Sequence, residues 1–119
     1  MSVSLLTNSS VYPTVTINAQ TGTSYTFVAA DGTNAVVTLS NASAITLTIP
    51  PNSSVSYPVG TVLNFAQTGA GKVTLAQGSG VTIVSTGATA SAPACRAQYS
   101  AGSAIQTSAN NWLVIGDLS

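Results

Sequence analysis

The stretch that decides the fold is AITLTIPP, at residues 44–51. Apolar and hydroxyl side chains alternate along it, so that each kind occupies one face of an extended chain: Ile45, Leu47 and Ile49 against Thr46 and Thr48. This period of two is typical of a half-buried β-strand. Two prolines then end the strand, because proline has no amide hydrogen to donate to a sheet.

Similar short runs continue on both sides of this strand. They lie at residues 25–29, 35–39, 61–67, 72–76, 81–84, 104–107 and 112–115. Turn-forming stretches such as Asp31-Gly32 separate most of them, and no window has the three-and-four spacing of an amphipathic helix. The pattern predicts an all-β fold: a single small antiparallel β-sandwich, jelly-roll-like or barrel-like domain over residues 24–119.

Two segments lack the strand pattern. Residues 1–23 are polar and rich in threonine, without a strong period, and we interpret them as an extended N-terminal arm. Residues 85–103 are rich in Ala, Ser, Thr and Gly, which favours a long surface loop, with a short helical turn at 94–97 as the alternative. No exact internal repeat is visible along the chain.

The composition is unusual in its lack of charge. Of the 119 residues 45% are hydrophobic and only 3% are charged, against about 25% charged in an ordinary soluble domain. The net charge is zero and there is no histidine. Because a neutral surface repels other copies weakly, we expect an oligomer, or a protein fixed in a larger assembly.

The same composition excludes two kinds of partner. Two positive side chains are too few to neutralise a useful number of phosphates, so nucleic acid is not expected as a partner. No apolar run approaches the roughly 20 residues that a membrane-spanning helix needs. The start of the chain lacks the features of a signal peptide, and the single Cys95 rules out an intrachain disulfide, so we expect synthesis in the cytoplasm.

The sequence offers little for catalysis. Without histidine no Ser-His or Cys-His pair can form, and zinc loses its commonest ligand. Asp31 lies in a predicted turn and Asp117 near the C-terminus, and a paired-carboxylate mechanism would require the two to converge. Cys95 beside Arg96 is more simply a small packed residue than a reactive thiol. We therefore expect no enzyme activity, no cofactor and no metal site.

Two further stretches have simple structural interpretations. Gly69-Ala70-Gly71-Lys72 lacks the first glycine and the Ser or Thr of a phosphate-binding loop, so a hairpin turn is predicted there. Trp112 and Val114 lie in the apolar run WLVI, which indicates packing in a core or between subunits. We predict subunit packing for this pair.

Four stretches carry a resemblance to a known group of proteins. AITLTIP at 44–50, YPVGTVLNF at 57–65, GAGKVTL at 69–75 and NWLVIGDL at 111–118 resemble, in order, a β-module of the virion proteins of tailed bacteriophages. The resemblance covers roughly residues 24–119. Members of that group include tail-fibre and tailspike segments and head proteins, so it implies a structural virion protein.

A module with a short arm, and no shaft or adaptor region, most resembles a capsid decoration, or cement, protein. The resemblance implies a homotrimer on the outer head surface, bound to the major capsid protein and stabilising the shell. For the arm we expect docking on the capsid or on a neighbouring subunit through its apolar residues: Val3, Leu5, Leu6, Val11 and Tyr12. The alternative is a receptor- or glycan-binding tip of a tail fibre or tailspike, which predicts exposed aromatic side chains grouped in a groove.

Overall fold

The alternating runs of the sequence form β-strands. A computed structural model describes residues 14–86 and 90–119. The strands are β1 Thr16–Gln20, β2 Ser24–Thr26, β3 Ala35–Leu39, β4 Ile45–Ile49, β5 Val62–Gln67, β6 Val73–Gln77, β7 Thr82–Val84, β8 Ala101–Ser108 and β9 Asn111–Gly116. One short 3-10 helix, Ala29–Gly32, follows β2. The prediction of a small all-β domain is confirmed.

The strands make two sheets. The larger has six strands in the order β1-β3-β5-β8-β9-β7, and the smaller has three in the order β2-β4-β6. Successive strands from β1 to β6 alternate between the sheets, and each of β1 to β4 pairs in parallel with the strand two places further along. The chain therefore winds through three coils, as in a short β-solenoid.

This winding differs from the antiparallel arrangement that the sequence led us to expect. Between named strands, antiparallel pairing occurs where β8 joins β5 and β9, while β7 pairs in parallel with β9. A period of two shows which face of a strand is buried, and it is the same for both directions of pairing. Parallel neighbours need a long crossover, and here each crossover contains a strand of the other sheet.

The coils differ in length, which explains why no repeat is visible in the sequence. Thr16 of β1 pairs with Ala35 of β3, whereas Val36 of β3 pairs with Asn64 of β5. The step between equivalent positions is thus 19 residues in one coil and 28 in the next. The extra residues lie mainly in the connection at 50–61, between β4 and β5.

The core lies between the two sheets and takes the inward residues of each strand. Its members are Phe27, Val37, Leu39, Ile45, Leu47, Ile49, Tyr57, Leu63, Phe65, Val73, Leu75, Val81, Ile83, Cys95, Ala104, Trp112 and Val114. Trp112 packs edge-on against Tyr57, with ring centroids 5.7 Å apart. Trp112 and Val114 are each 1% exposed. Their side chains thus pack in the chain's own core, because they occupy the inward positions of β9, and this fold leaves them no surface for a subunit contact.

Two glutamine side chains satisfy the backbone where strands end. The buried Gln67 side chain accepts a hydrogen bond from the Val73 amide at 3.0 Å and donates one to the Gly69 carbonyl at 3.1 Å. The Gln77 side chain, on an exposed residue, accepts from the Ile83 amide at 2.8 Å. The neutral amide of Gln67 thus pairs buried polar groups that would otherwise lose water without replacement.

Two of the predicted boundaries change in the structure. Thr16–Gln20 forms an edge strand of the larger sheet, so part of the predicted arm belongs to the domain, and residues 1–13 lie outside the described part. Within the predicted loop at 85–103, Pro93 and Cys95 exchange backbone hydrogen bonds with β6. This extended segment covers the edge of β6, and no helical turn forms at 94–97.

The glycine-rich stretch at 69–72 forms the turn between β5 and β6. The predicted hairpin does not form there, because these two strands lie in different sheets. A Cβ atom on Gly71 would clash with the Ser43 carbonyl oxygen, so the close approach of the two backbones requires glycine there. A strand follows the turn instead of the helix that a phosphate-binding loop needs.

Candidate interaction surface

Of the four charged side chains, one is buried in the first coil. Asp31 is 3% exposed. It accepts hydrogen bonds from the Tyr25 hydroxyl at 2.7 Å, the Asn18 amide at 3.0 Å and the Val28 backbone N–H at 2.9 Å. Because Asn18 lies on β1 and Tyr25 on β2, this carboxylate joins the two sheets. Burial, together with the hydrogen bond to Asp31, raises the pKa of Tyr25 to about 12, so its hydroxyl remains a donor.

Two more charges pair with each other. Arg96 Nε and Nη2 donate to the two carboxylate oxygens of Asp117 at 2.7 and 2.9 Å, and the Ser100 hydroxyl donates to the same carboxylate at 2.7 Å. The Arg96 guanidinium lowers the pKa of Asp117. Asp31 is buried, and Arg96 and Asp117 neutralise each other. The remaining charge of the surface therefore comes from the fourth charged side chain, Lys72.

The outer face of the six-stranded sheet is aliphatic. Cross-strand neighbours on β5, β8, β9 and β7 form a continuous row that we call the aliphatic row: Val62, Ile105, Leu113 and Val84. Val62 is 40% exposed, Leu113 36% and Val84 50%. None of the six strands carries a charged residue. Exposed aliphatic surface of this continuity is typical of a protein–protein contact.

A second row crosses the same face two residues further along. It consists of Ile17, Val36, Asn64, Ser103 and Ile115. Its polar members are already paired within the sheet, since the Ser103 hydroxyl donates to Asn64 Oδ1 at 2.7 Å and Asn64 Nδ2 donates to the Ala35 carbonyl at 3.1 Å. Covering this pair with another protein would therefore leave few polar atoms unsatisfied.

The outer face of the three-stranded sheet has a different chemistry. Its outward residues are in register across β2, β4 and β6 and are almost all hydroxylic: Ser24, Thr26, Thr46, Thr48, Thr74 and Ala76. We call this the hydroxyl face. Hydroxyl groups can hydrogen-bond to water, so this face is suited to solvent.

A shallow cleft of about 420 Å³ lies between the 3-10 helix and the connection at 50–61. Tyr57 lines it, but the Tyr57 hydroxyl donates to the Val28 carbonyl at 2.6 Å, and burial raises the pKa of this tyrosine. The other lining residues are small and carry no charge. The cleft thus has no group that could transfer a proton near neutral pH.

The residues considered for catalysis do not come together. Asp31 and Asp117 share no hydrogen-bond partner, and the described residues contain no group of three His, Cys, Asp or Glu side chains that could hold a metal ion. Cys95 is fully buried, and this burial raises the pKa of its thiol to about 11. A buried thiol with a raised pKa is a weak nucleophile.

The aromatic side chains that the tail-tip alternative requires are also dispersed. Tyr57 and Trp112 are buried, Tyr25 is half-buried in the Asp31 network, and Tyr99 is 76% exposed by itself before β8. Tyr12 lies outside the described residues, as do the other predicted arm residues, Val3, Leu5, Leu6 and Val11. The described part of the chain thus presents no aromatic groove.

The aliphatic row was missed in the sequence because its members occur in predicted strands whose outward side was not assigned. The signal in the sequence was the run WLVI at 112–115, in which the residues on both faces of the strand are apolar. A strand between one core and solvent needs only one apolar face, so its second apolar face indicates a further partner.

Comparisons with known proteins do not assign the chain to a family. A scan of protein-family models and a search of curated proteins gave no match. Among the described residues, no helix has the length and hydrophobicity needed to cross a bilayer.

Proposed function

We propose that this chain is a structural subunit without enzyme activity, and that it is a decoration, or cement, protein on the head of a tailed bacteriophage. The observation that supports this proposal best is the neutral surface. One of four charges is buried, two neutralise each other, and an aliphatic sheet face remains outside. Such a surface is suited to permanent contact with other protein subunits.

The kind of assembly is taken from the resemblance to phage virion modules. A decoration protein binds the closed capsid lattice and not the free major capsid protein, so it stabilises the shell by mass action. Weak contacts made by several joined copies add up through high effective concentration. In this proposal the protein is made in the host cytoplasm, forms a homotrimer and binds the outer surface of the head.

The predicted arm supplies the capsid contact in this proposal. The described chain enters the domain at β1, an edge strand of the larger sheet. Val3, Leu5, Leu6, Val11 and Tyr12 give this segment five apolar side chains and no charge. An extended apolar segment can bind by adding to a sheet edge of its partner.

The test is co-sedimentation of the purified protein with undecorated phage heads. We expect saturation at a fixed ratio and a higher temperature of head disruption. The double variant Leu5→Lys/Leu6→Lys should lose binding, because it removes apolar contact and adds charge. Thr7→Lys adds charge in the same segment but keeps both leucines, and should bind more strongly than the double variant.

Absence of saturable binding to heads would overturn the proposal. Binding to cells or to glycans in its place would indicate a receptor-binding tip of a tail fibre or tailspike.

A further inference from the structure

We propose that the outer face of the six-stranded sheet is the surface through which copies of this chain associate, with the aliphatic rows of neighbouring copies in contact. This inference rests on the proposed function, because it names the interface of the proposed oligomer. It commits to one occupant of the face, a second copy of the chain.

The first argument is the chemistry of the face. Val62, Ile105, Leu113 and Val84 run side by side across four adjacent strands, and Ile115 extends the apolar surface along β9. Because the strands of this sheet carry no charged residue, the face meets its own copy without like-charge repulsion. A partner with a charged surface would leave its charges unpaired against it.

The second argument is the state of the polar atoms on the face. Asn64 and Ser103 are the polar members of the second row, and they bond to each other and to the Ala35 carbonyl. A second copy can therefore cover them without supplying new donors or acceptors. The hydroxyl face of the smaller sheet lacks this property, because its five outward hydroxyl groups form no side-chain hydrogen bond within the described part of the chain that would replace water.

The third argument is size. Six strands about 4.8 Å apart span roughly 24 Å, and six residues of strand cover about 20 Å, which gives a face of about 480 Å² in projection. Two such faces in contact cover roughly 960 Å² before side-chain relief is counted, close to the ~1,000 Å² at which specific interfaces begin. The face is thus large enough for a subunit contact, and the aliphatic row crosses the four strands from β5 to the edge strand β7.

The test is light-scattering mass determination on the full chain and on matched variants. The wild type should have a mass above the 11.8 kDa of one chain. Leu113→Lys places an unpaired charge at the centre of the row, and we expect at least a hundredfold weaker association, with the far-UV circular dichroism of the wild type. Val59→Lys is the control, since Val59 is 65% exposed but lies in the connection at 50–61.

A mixing experiment tests whether the rows face each other. Leu113→Lys and Leu113→Glu should each be dissociated alone, and an equal mixture should associate again, to a mass above that of one chain, because opposite charges can then meet between neighbouring copies. A dissociated mixture would overturn the row-to-row contact, as would a Leu113→Lys variant with wild-type mass. Loss of association in Leu5→Lys/Leu6→Lys would also overturn it, because the occupant of the face would then be the arm.

The two proposals fail in different ways. A wild-type chain that is monomeric but saturates phage heads would overturn this interface and leave the proposed function standing. An oligomer that Leu113→Lys dissociates, but that does not bind heads, would support the interface and overturn the cement function.

Discussion

The two sheets of this protein are alike inside and different outside. Both contribute Val, Leu and Ile to one core, yet β4 of the smaller sheet turns Thr46 and Thr48 outward while β9 of the larger sheet turns out Leu113 and Ile115. Neither outer face carries a charge. The difference teaches that two faces equally free of charge can differ in chemistry: one presents mainly hydroxyl groups to water and the other presents rows of aliphatic side chains.

The largest effect should come from the inward side of β9. Replacing Trp112 with alanine removes a fully buried ring, and we expect a loss of about 3–5 kcal/mol in the free energy of unfolding. Leu113→Ala, one residue away on the outer face, should cost no more than about 1 kcal/mol in dilute protein. Urea unfolding of both variants measures the contrast, and equal losses would contradict the inward and outward assignment.

The second test concerns the link between the sheets in the first coil. Asp31→Asn puts an amide where Asn18 and Val28 both donate, so we expect a loss of about 1–3 kcal/mol in unfolding free energy. Tyr25→Phe removes a donor to the same carboxylate. The double variant should lose less than the sum of the single losses, since the two residues share a bond. If the two single losses of unfolding free energy simply add in the double variant, Asp31 and Tyr25 contribute independently and the network is not cooperative.

The third test exchanges the chemistry of the two outer faces. Leu113→Thr/Ile115→Thr makes β9 resemble β4, and we expect about tenfold weaker self-association, equal to ~1.4 kcal/mol, with the fold retained. The reverse change, Thr46→Val/Thr48→Val, should create a new associating surface and raise the mass measured by light scattering. If Leu113→Thr/Ile115→Thr leaves self-association unchanged, the outward aliphatic side chains of β9 are not what makes copies associate.

The smallest effect should come from the ion pair that joins the end of β9 to the segment beside β6. Arg96 lowers the pKa of Asp117 from its ordinary value of 3.8. A carboxyl group whose pKa falls on folding stabilises the protein above its ordinary pKa, and the contribution is lost as the pH falls through the lowered value. The difference in melting temperature between wild type and Asp117→Asn should thus be present at pH 7 and shrink below about pH 4.

Both side chains of this pair are well exposed, 64% for Arg96 and 46% for Asp117, so the difference at pH 7 should be small. Arg96→Gln should show the same pH pattern. A difference that grows in acid would contradict the pairing.

The strands themselves could be predicted from the sequence, because alternation in runs such as ITLTI and VLNF follows directly from the geometry of an extended chain. The direction of pairing could not, since parallel and antiparallel neighbours need the same alternation. The coils were also concealed because they differ in length. The number of residues from Thr16 to its partner Ala35 is not the number from Val36 to its partner Asn64. Strand β1 was missed because its inward Asn18 and Gln20 are polar and belong to the hydrogen-bond network of the first coil.

The candidate surface was predictable only in part. Low charge predicts association, which stays a prediction, but the predicted contact residues of β9, Trp112 and Val114, are those that face the core. The run WLVI is apolar at every position, so sequence alone does not distinguish its two faces. That distinction depends on the register with β8, where Ala104 opposes Val114 in the interior and Ile105 opposes Leu113 outside.

The glutamines at the strand ends have a consequence for how the protein responds to its medium. Gln67 and Gln77 connect strand ends with neutral amides, and amides neither titrate nor attract counterions. There is no histidine, and two carboxylates stand against two basic side chains, so the formal side-chain charge is zero at pH 7. If copies associate through the aliphatic rows, that contact should therefore respond weakly to a small shift of pH near neutrality, and dilution or detergent should be the practical means of separating them.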